Sequence, residues 1–282
     1  MHFLSKRAKT MNRTSIDFIC CPNCHDDLLL RVKKSLGDEV ISGSLRCQRC
    51  NKEYKIEHGI ADFIPSDEIS KDDKRWMIEY DKMARTYDIL MCHLIPLFSL
   101  GLEPLDRYKW VKQLGLGKGA HVLDVATGTG RNLSFLVRHV GPIGRVTAMD
   151  ISRGMLAYAR YRVKRKKWKN VELHRANASK LPYKGNVFDA VIHVGGINTF
   201  GEKKKALYEM VRVAKPNAKI VIVDEGLAPG KENTVFGRFL LRTNALYWCK
   251  PPIKLIPREI KSIKVRWGLS LFWPYYNMEL QK

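Results

Sequence analysis

The chain of 282 residues carries 50 Lys/Arg against 28 Asp/Glu, a formal net charge of +22, and is 45% hydrophobic. That apolar share excludes a disordered chain, and the length allows one large core, or a core of about 200 residues with a small module beside it. Residues 1–70 hold 11 basic against 10 acidic side chains, so the excess belongs to the remainder, where it favours polyanions such as nucleic acid, an acidic membrane surface or acidic metabolites.

The opening MHFLSKRAKTMNRTS has no apolar stretch after its basic residues, so no secretory signal is read and residues 1–17 are expected as a flexible tail. The most apolar segment, Ile89–Leu102, is interrupted by His93 and Pro96 and falls short of the roughly 20 residues that span a bilayer. A cytoplasmic protein is expected, at most peripheral to a membrane.

Five of the seven cysteines lie between residues 20 and 50. CPNC at 21–24 and CQRC at 47–50 form CxxC–x22–CxxC, two turns that each aim a pair of thiolates at one ion. Between them LLLRV and VISGSL read as strands around the turn KSLGDE. Cys21, Cys24, Cys47 and Cys50 are therefore expected to ligate a structural Zn2+, a closed shell that leaves no catalytic position. Cys20 and His25 lie alongside but break the paired spacing. The text CQRCNKEYKIEHGIADFIP, with Tyr54, Ile56, Gly59, Ile60 and Pro65, resembles the zinc-ribbon family that includes activator subunits of tRNA and protein methyltransferases. The resemblance covers residues 18–66. The polar stretch that follows reads as a linker, residues 67–76.

From residue 77 to 282 strand-like and helix-like segments alternate, the pattern of a doubly wound α/β sheet. Strands are expected at 120–126, 145–149, 171–175, 187–194 and 218–224. Helices are expected at 131–139, 153–165, 201–213 and 231–245, with a closing β-hairpin in the last thirty residues.

The stretch VLDVATGTGRN at 122–132 is a buried strand running into a glycine loop. A dinucleotide-binding loop wants a third small residue where this chain has Leu133. Asp124 would repel a pyrophosphate but favour an ammonium group. S-adenosylmethionine has the ammonium group, lacks phosphate, and needs the same close backbone approach. Asp150 ends the next strand 20 residues after Gly130, placed to accept from ribose hydroxyls. Asn177-Ala178 follows the third strand and offers an amide and an N–H to an adenine edge. Singly, Asp124 also serves as a helix cap, Asp150 as a turn former and Asn177 as a loop residue; their joint spacing points to the cofactor.

Together, VLDVATGTGRN, AMDISRGML, RANASKLPYKGNVFDAVIHVGGINTF and KKKALYEMVRVAKPNAKIVIVDEGLAP resemble a Rossmann-like class I S-adenosylmethionine-dependent methyltransferase. The pattern is that of the ubiquinone/menaquinone-biosynthesis C-methyltransferases, with their Asn-Ala before L-P-[FY]-x4-F-D kept as Asn177, Ala178, Leu181, Pro182, Tyr183, Phe188 and Asp189. EYDKMARTYDILM resembles the family's leading helix, whose Tyr-Asp, here Tyr87-Asp88, lies beside the cofactor. The resemblance implies a mostly parallel sheet with a C-terminal hairpin. It also implies cofactor contacts at Tyr87, Asp124, Ala126, Gly128, Thr129, Gly130, Asp150, Ile151, Asn177, Ala178 and Val194. The chain departs from the quinone enzymes at Val194, where they carry a small polar residue, and at Gly196-Ile197-Asn198-Thr199, where they carry Gly-Leu-Arg-Asn. In the family these positions face the transferable methyl.

Methyl transfer from a sulfonium is an in-line displacement that needs alignment and a dry site, with a base only when the nucleophile starts protonated. His193, Asn198, Asp224 and Glu225 stand at strand ends. His193 is taken as the base candidate, though strand alternation can also pack it into the sheet. The expected acceptor is a small or lipid-like molecule, with residues 89–102 and RFLLRTNALYWCKPPIKLIP forming an amphiphilic lid toward an anionic surface. The alternative acceptor is RNA, because RYRVKRKKWK at 160–169 has seven basic residues interleaved with Tyr161 and Trp168. A ribbon-bearing scaffold without activity is the third reading, opposed by the intact cofactor residues.

Overall fold

The structure, a computed structural model, describes residues 11–64, 69–98, 102–270 and 273–282. The described residues begin with β1 (Met11–Asn12) and a single 3-10 turn, Arg13–Asp17. Strands β2 (Leu28–Leu36), β3 (Glu39–Cys47), β4 (Glu53–Glu57) and β5 (Ile60–Asp62) follow. Residues 11–17 are not a tail. Met11 pairs with Val40 and is fully buried, because the apolar side chain completes the ribbon's core. The β2–β3 hairpin is longer than expected, its turn confined to Gly37-Asp38, where Gly37 takes φ +57°. Pro65 lies outside the described residues.

Next comes α1 (Lys71–Ile89), which starts inside the segment expected as linker. Its sequence explains the early start: Ser70 Oγ accepts from Asp73 N at 3.1 Å, and Asp72 and Asp73 sit in the first turn. A π-helical stretch, Leu90–Leu94, leads into α2 (Ile95–Phe98), and α3 is Leu102–Gln113. The alternating part then runs β6 (His121–Val125), α4 (Leu133–Val140), β7 (Arg145–Asp150), α5 (Arg153–Lys166), β8 (Val171–Arg175) and β9 (Phe188–Val194). It continues with α6 (Lys203–Val213), β10 (Ala214–Glu225), α7 (Val235–Thr243), β11 (Ser262–Ser270) and β12 (Trp273–Gln281). The helix expected at 231–245 is shorter, because Thr234 caps it at 235 and Asn244 leaves helical geometry.

Strands β8, β7, β6, β9 and β10 are parallel in that spatial order, and β12 and β11 close the far edge antiparallel. Strand order reverses between β6 and β9, the switch point where such sheets bind ligands beyond their carboxyl ends. At the other edge β5 pairs parallel with β8, Ala61 opposite His174 and Asp62 opposite Arg175. Among the described residues, ribbon and α/β part therefore share one 12-stranded sheet. They also share one apolar core, in which Phe18, Ile19 and Tyr54 pack with Tyr183, Phe188 and Ile220. Ser15 Oγ donates to Glu172 Oε2 at 2.6 Å across the same junction.

Candidate active site and metal centre

A cavity of about 650 Å3 opens at the switch point. The loop after β6 forms its floor. Ala126, a non-glycine residue at φ +54°, turns the chain out of the strand, and Gly128 and Gly130 follow at φ +58° and +82°. Ala126, Gly128 and Thr129 line the cavity. Gly130 works underneath: a Cβ there would stand 2.8 Å from Leu133 Cδ1 and 3.3 Å from Ala159 Cβ, so the glycine lets the loop seat against α5.

Asp124 is fully buried below the loop and is not among the cavity-lining residues. Its two oxygens accept from Thr127 Oγ1 at 2.6 Å and Asn132 Nδ2 at 3.0 Å. Burial pushes its carboxyl up to about 6, against those hydrogen bonds. The expectation that Asp124 faces a ligand's ammonium is corrected: burial beneath the loop leaves Asp124 fastening Thr127 and Asn132, off the cavity wall. A charged group that the sequence reading overlooked sits on the wall instead. Glu103 is paired with Arg107 and, at 2.5 Å, with Arg131, while Arg107 Nη1 donates to Asn132 Oδ1 at 2.6 Å. The only sequence signal was the i,i+4 spacing of Glu103 and Arg107 on a helix.

Asp150, at the end of β7, does line the cavity. Its Oδ2 accepts from Gly128 N at 2.8 Å and its Oδ1 from Ser152 N at 2.9 Å. Desolvation raises this carboxyl also to about 6. Ile151, Asn177 and Ala178 continue the wall. The Asn177 amide is engaged within the protein, donating to Asp73 Oδ2 at 3.1 Å and accepting from Ser179 N at 3.0 Å. Asp73 Oδ1 also accepts from Gly201 N at 3.1 Å, so the start of α1 clamps the loops after β8 and β9 together. Farther along α1, Trp76, Tyr80 and Tyr87 face the cavity. Gly154 lets α1 approach α5: a Cβ there would lie 3.0 Å from Asp81 O.

Val194, Gly195, Gly196, Thr199 and Phe200 carry the wall past β9, and Glu225 past β10. His193 is not on it. The imidazole is fully buried, its Nδ1 lies 3.0 Å from Val125 O, and its ring packs 5.2 Å from Phe200. Burial lowers it to about 4. The base expectation for His193 is corrected on geometry, since alternation along β9 turns the side chain into the sheet. Glu225 is the carboxylate on this side. Behind it Asp224, fully buried, accepts from Asn198 N at 2.7 Å, Glu225 N at 2.9 Å and Gly196 N at 3.2 Å. Burial and the adjoining Glu225 push the Asp224 carboxyl well above its ordinary range. Asn244, Leu246 and Tyr247, with Ser270 and Trp273, complete the cavity.

At the other centre the Sγ atoms of Cys21, Cys24, Cys47 and Cys50 all lie within 4.8 Å of one another, with Cys21–Cys50 at 3.5 Å and Cys24–Cys47 at 3.4 Å. His25 and Asn51 follow the two CxxC turns in left-handed conformation, φ 58° and 59°. Tyr54 Oη stands 3.2 Å from Cys21 Sγ. Cys20 is outside the cluster, and the His25 ring points toward Glu209 instead, at 3.9 Å.

In the basic run, Arg162 donates to Asp88 Oδ1 at 2.8 Å and to Thr129 O at 3.1 Å, and Arg160 to His58 O at 3.3 Å. Two of its seven cations thus brace α1, the glycine loop and the ribbon.

Residues 69–228 match the ubiE/COQ5 methyltransferase family. The chain is 34% identical over 146 residues to the ubiquinone/menaquinone biosynthesis C-methyltransferase UbiE of Hahella chejuensis, covering 51% of this chain and 57% of that protein. It is 30% identical over 191 residues to the demethylmenaquinone methyltransferase of Listeria welshimeri, covering 63% of this chain and 79% of that one. The chain thus spans a little over half the length of the first relative. Among solved structures, a chain from the Haloferax volcanii complex of the Trm112 methyltransferase activator with a methyltransferase superposes at a TM-score of 0.53. It is 14% identical and covers 72% of this chain and 97% of its own length, a likeness of fold alone. The chain belongs to the ubiE/COQ5 methyltransferase family, within the S-adenosylmethionine-dependent methyltransferases.

Proposed function

We propose that the protein transfers a methyl group from S-adenosylmethionine to a quinone-like small molecule, and that Zn2+ holds the ribbon. The carrying observation is that one cavity joins two kinds of wall. The loops after β6, β7 and β8 present bare glycine backbone and Asp150. The elements after β9 and β10 present Phe200, Tyr247 and Trp273 around a single carboxylate, Glu225. The second wall suits a flat apolar ring. Relatives named for ubiquinone, menaquinone and demethylmenaquinone agree with it.

The residues present fit the cofactor. Gly128 and Gly195, at φ +58° and +82°, have no atom within 4 Å of where a Cβ would stand, so the cavity's open space meets bare backbone at both places. Asp150 would accept from the ribose hydroxyls, and Glu103 with Arg107 and Arg131 would answer the ammonium and carboxylate of the amino-acid end. When bound, the cofactor supplies a methyl on positively charged sulfur, a reagent that needs alignment more than activation. Trp76, Tyr80 and Tyr87 on α1 exclude water above it. Glu225, backed by Asp224, takes the proton that the acceptor loses. The four thiols fit Zn2+, because four sulfurs within 4.8 Å of one another can close around a single ion with Zn–S bonds of about 2.3 Å.

The test incubates purified protein with methyl-labelled cofactor and a short-chain 2-prenyl-1,4-naphthoquinol, with total RNA as a competing acceptor. Label in the organic extract is expected, and label in RNA alone overturns the reading. Elemental analysis is expected to find stoichiometric zinc.

A further inference from the structure

We propose that α7 and the loop after it dock the protein on an anionic lipid surface, so that the face turned outward from the cavity wall is a membrane-binding face. The segment from Lys231 to Lys254 has two sides. Its inner side belongs to the site: Leu240 and Leu241 pack with Leu227, Tyr247 and Trp273 in a small cluster of their own, and Asn244, Leu246 and Tyr247 line the cavity. Its outer side is apolar where a water-facing surface should be polar. Val235 is 78% exposed, Phe239 58%, Trp248 59%, and Phe236 and Ile253 45% each.

The helix geometry separates the sides. With Gly237, Leu240 and Leu241 turned inward, a step of 100° per residue sends Val235, Phe239 and Arg242 outward together, flanked by Phe236 and Arg238. Gly237 permits the close seat: a Cβ there would stand 1.8 Å from Lys231 O. Charge complementarity selects the occupant. Lys231, Arg238, Arg242, Lys250 and Lys254 are exposed around the aromatic residues, with Glu232 the single acid of the segment. None of the five enters a salt bridge among the described residues. Aromatic and aliphatic side chains ringed by cations, on a helix of nine residues, have the composition of an element lying in a headgroup layer. No helix of the described residues is long and apolar enough to cross a membrane, so docking is at the surface. An acceptor dissolved in lipid would then meet the wall formed by Leu246 and Tyr247 directly.

Co-sedimentation of the full chain with vesicles tests this, comparing phosphatidylcholine alone with phosphatidylcholine doped with phosphatidylglycerol. Binding to the doped vesicles is expected, weakened by salt. Phe236→Ser with Phe239→Ser abolishes it, and Arg238→Glu with Arg242→Glu weakens it by at least about tenfold. Arg165→Glu with Lys166→Glu, exposed on α5, leaves it unchanged, which separates a docking face from the attraction of any cationic protein. Equal loss on the α5 variant overturns the proposal, as does binding that survives both α7 variants. So does a concentration-dependent dimer, or an RNA complex, that the α7 substitutions abolish while vesicles are not bound. Cofactor affinity, measured by calorimetry, stays unchanged in all three variants. The inference rests on the outward face and not on the acceptor, so failed sedimentation leaves the methyl-transfer reading standing, and failed transfer leaves the docking result standing.

Discussion

Arg175 Nη1 grips both carboxylate oxygens of Asp62, at 2.8 and 3.1 Å, joining the last strand of the ribbon to the third parallel strand of the cofactor sheet. The same guanidinium donates through Nε to Ile151 O at 2.9 Å, and its Nη2 lies 3.1 Å from Met77 Sδ. One side chain thus touches the ribbon, the loop that follows Asp150, and α1. Asp62→Ala leaves Arg175 nearly buried without its partner, and we expect it to cost about 3 kcal/mol in chemical denaturation. Calorimetry should show weaker cofactor binding, by about 1 kcal/mol, because Ile151 is no longer held in register.

Cofactor affinity should depend on pH through Asp150. Its carboxyl, raised by burial to about 6, is protonated in the free protein below that value and would then lose the capacity to accept from both hydroxyls of the ribose that the proposed function places there. Affinity is expected to improve as pH rises through about 6 and to weaken by up to tenfold per unit below it, about one proton's worth. For stability of the free protein the sign reverses. A raised carboxyl contributes fully below its unfolded value near 3.8, and that contribution is lost as pH rises through about 6. His193, lowered to about 4 from 6.5, works the other way: its contribution is present above 6.5 and is lost as pH falls toward 4. Titration calorimetry across this range checks the affinity, and Asp150→Asn should flatten the profile.

Glu225→Gln should separate binding from chemistry. Cofactor affinity is expected to stay near that of the parent, while turnover falls about a hundredfold. A His193→Gln variant should keep most of its turnover, since its ring faces Val125 O and Phe200. Steady-state rates of the two variants side by side decide the matter.

Removal of the Zn2+ proposed for the thiol cluster should reach beyond the ribbon. Cys47→Ser, or a strong chelator, is expected to lower the melting temperature and to raise amide exchange in β8 as well as in β3 and β4. The reason is shared packing: Cys47, Tyr54 and Ile56 lie in the same core as Tyr183 and Val191. A ribbon that melted alone, leaving β8 protected, would contradict this.

The motifs legible in sequence were those in which residue type and spacing are set by local geometry. Gly128 and Gly130 turn where only positive φ serves, the CxxC pairs assemble where their spacing places them, and Asp150 ends its strand facing the cavity. What the sequence hid was set by burial and by long-range contact. Asp124 has its oxygens occupied by Thr127 and Asn132, and nothing in VLDVATGTGRN tells a carboxylate aimed upward from one aimed down. His193 lies one residue before the end of β9 and Glu225 ends β10, and only the three-dimensional arrangement of the sheet shows which lines the cavity. The polar stretch before residue 77 read as linker because its charges masked a capped helix start at Ser70.

The β5–β8 pairing joins residues 60–62 to 171–175 and so constrains how the molecule can be made. On the ribosome the ribbon emerges before the strands it packs with, and the core it enters includes Tyr276, Met278 and Leu280 of the much later closing hairpin. Its apolar face must wait, exposed, until those later strands have been made. The thiol cluster, whose four members all lie within residues 21–50, can close long before that and hold the early segment in shape until its late neighbours arrive.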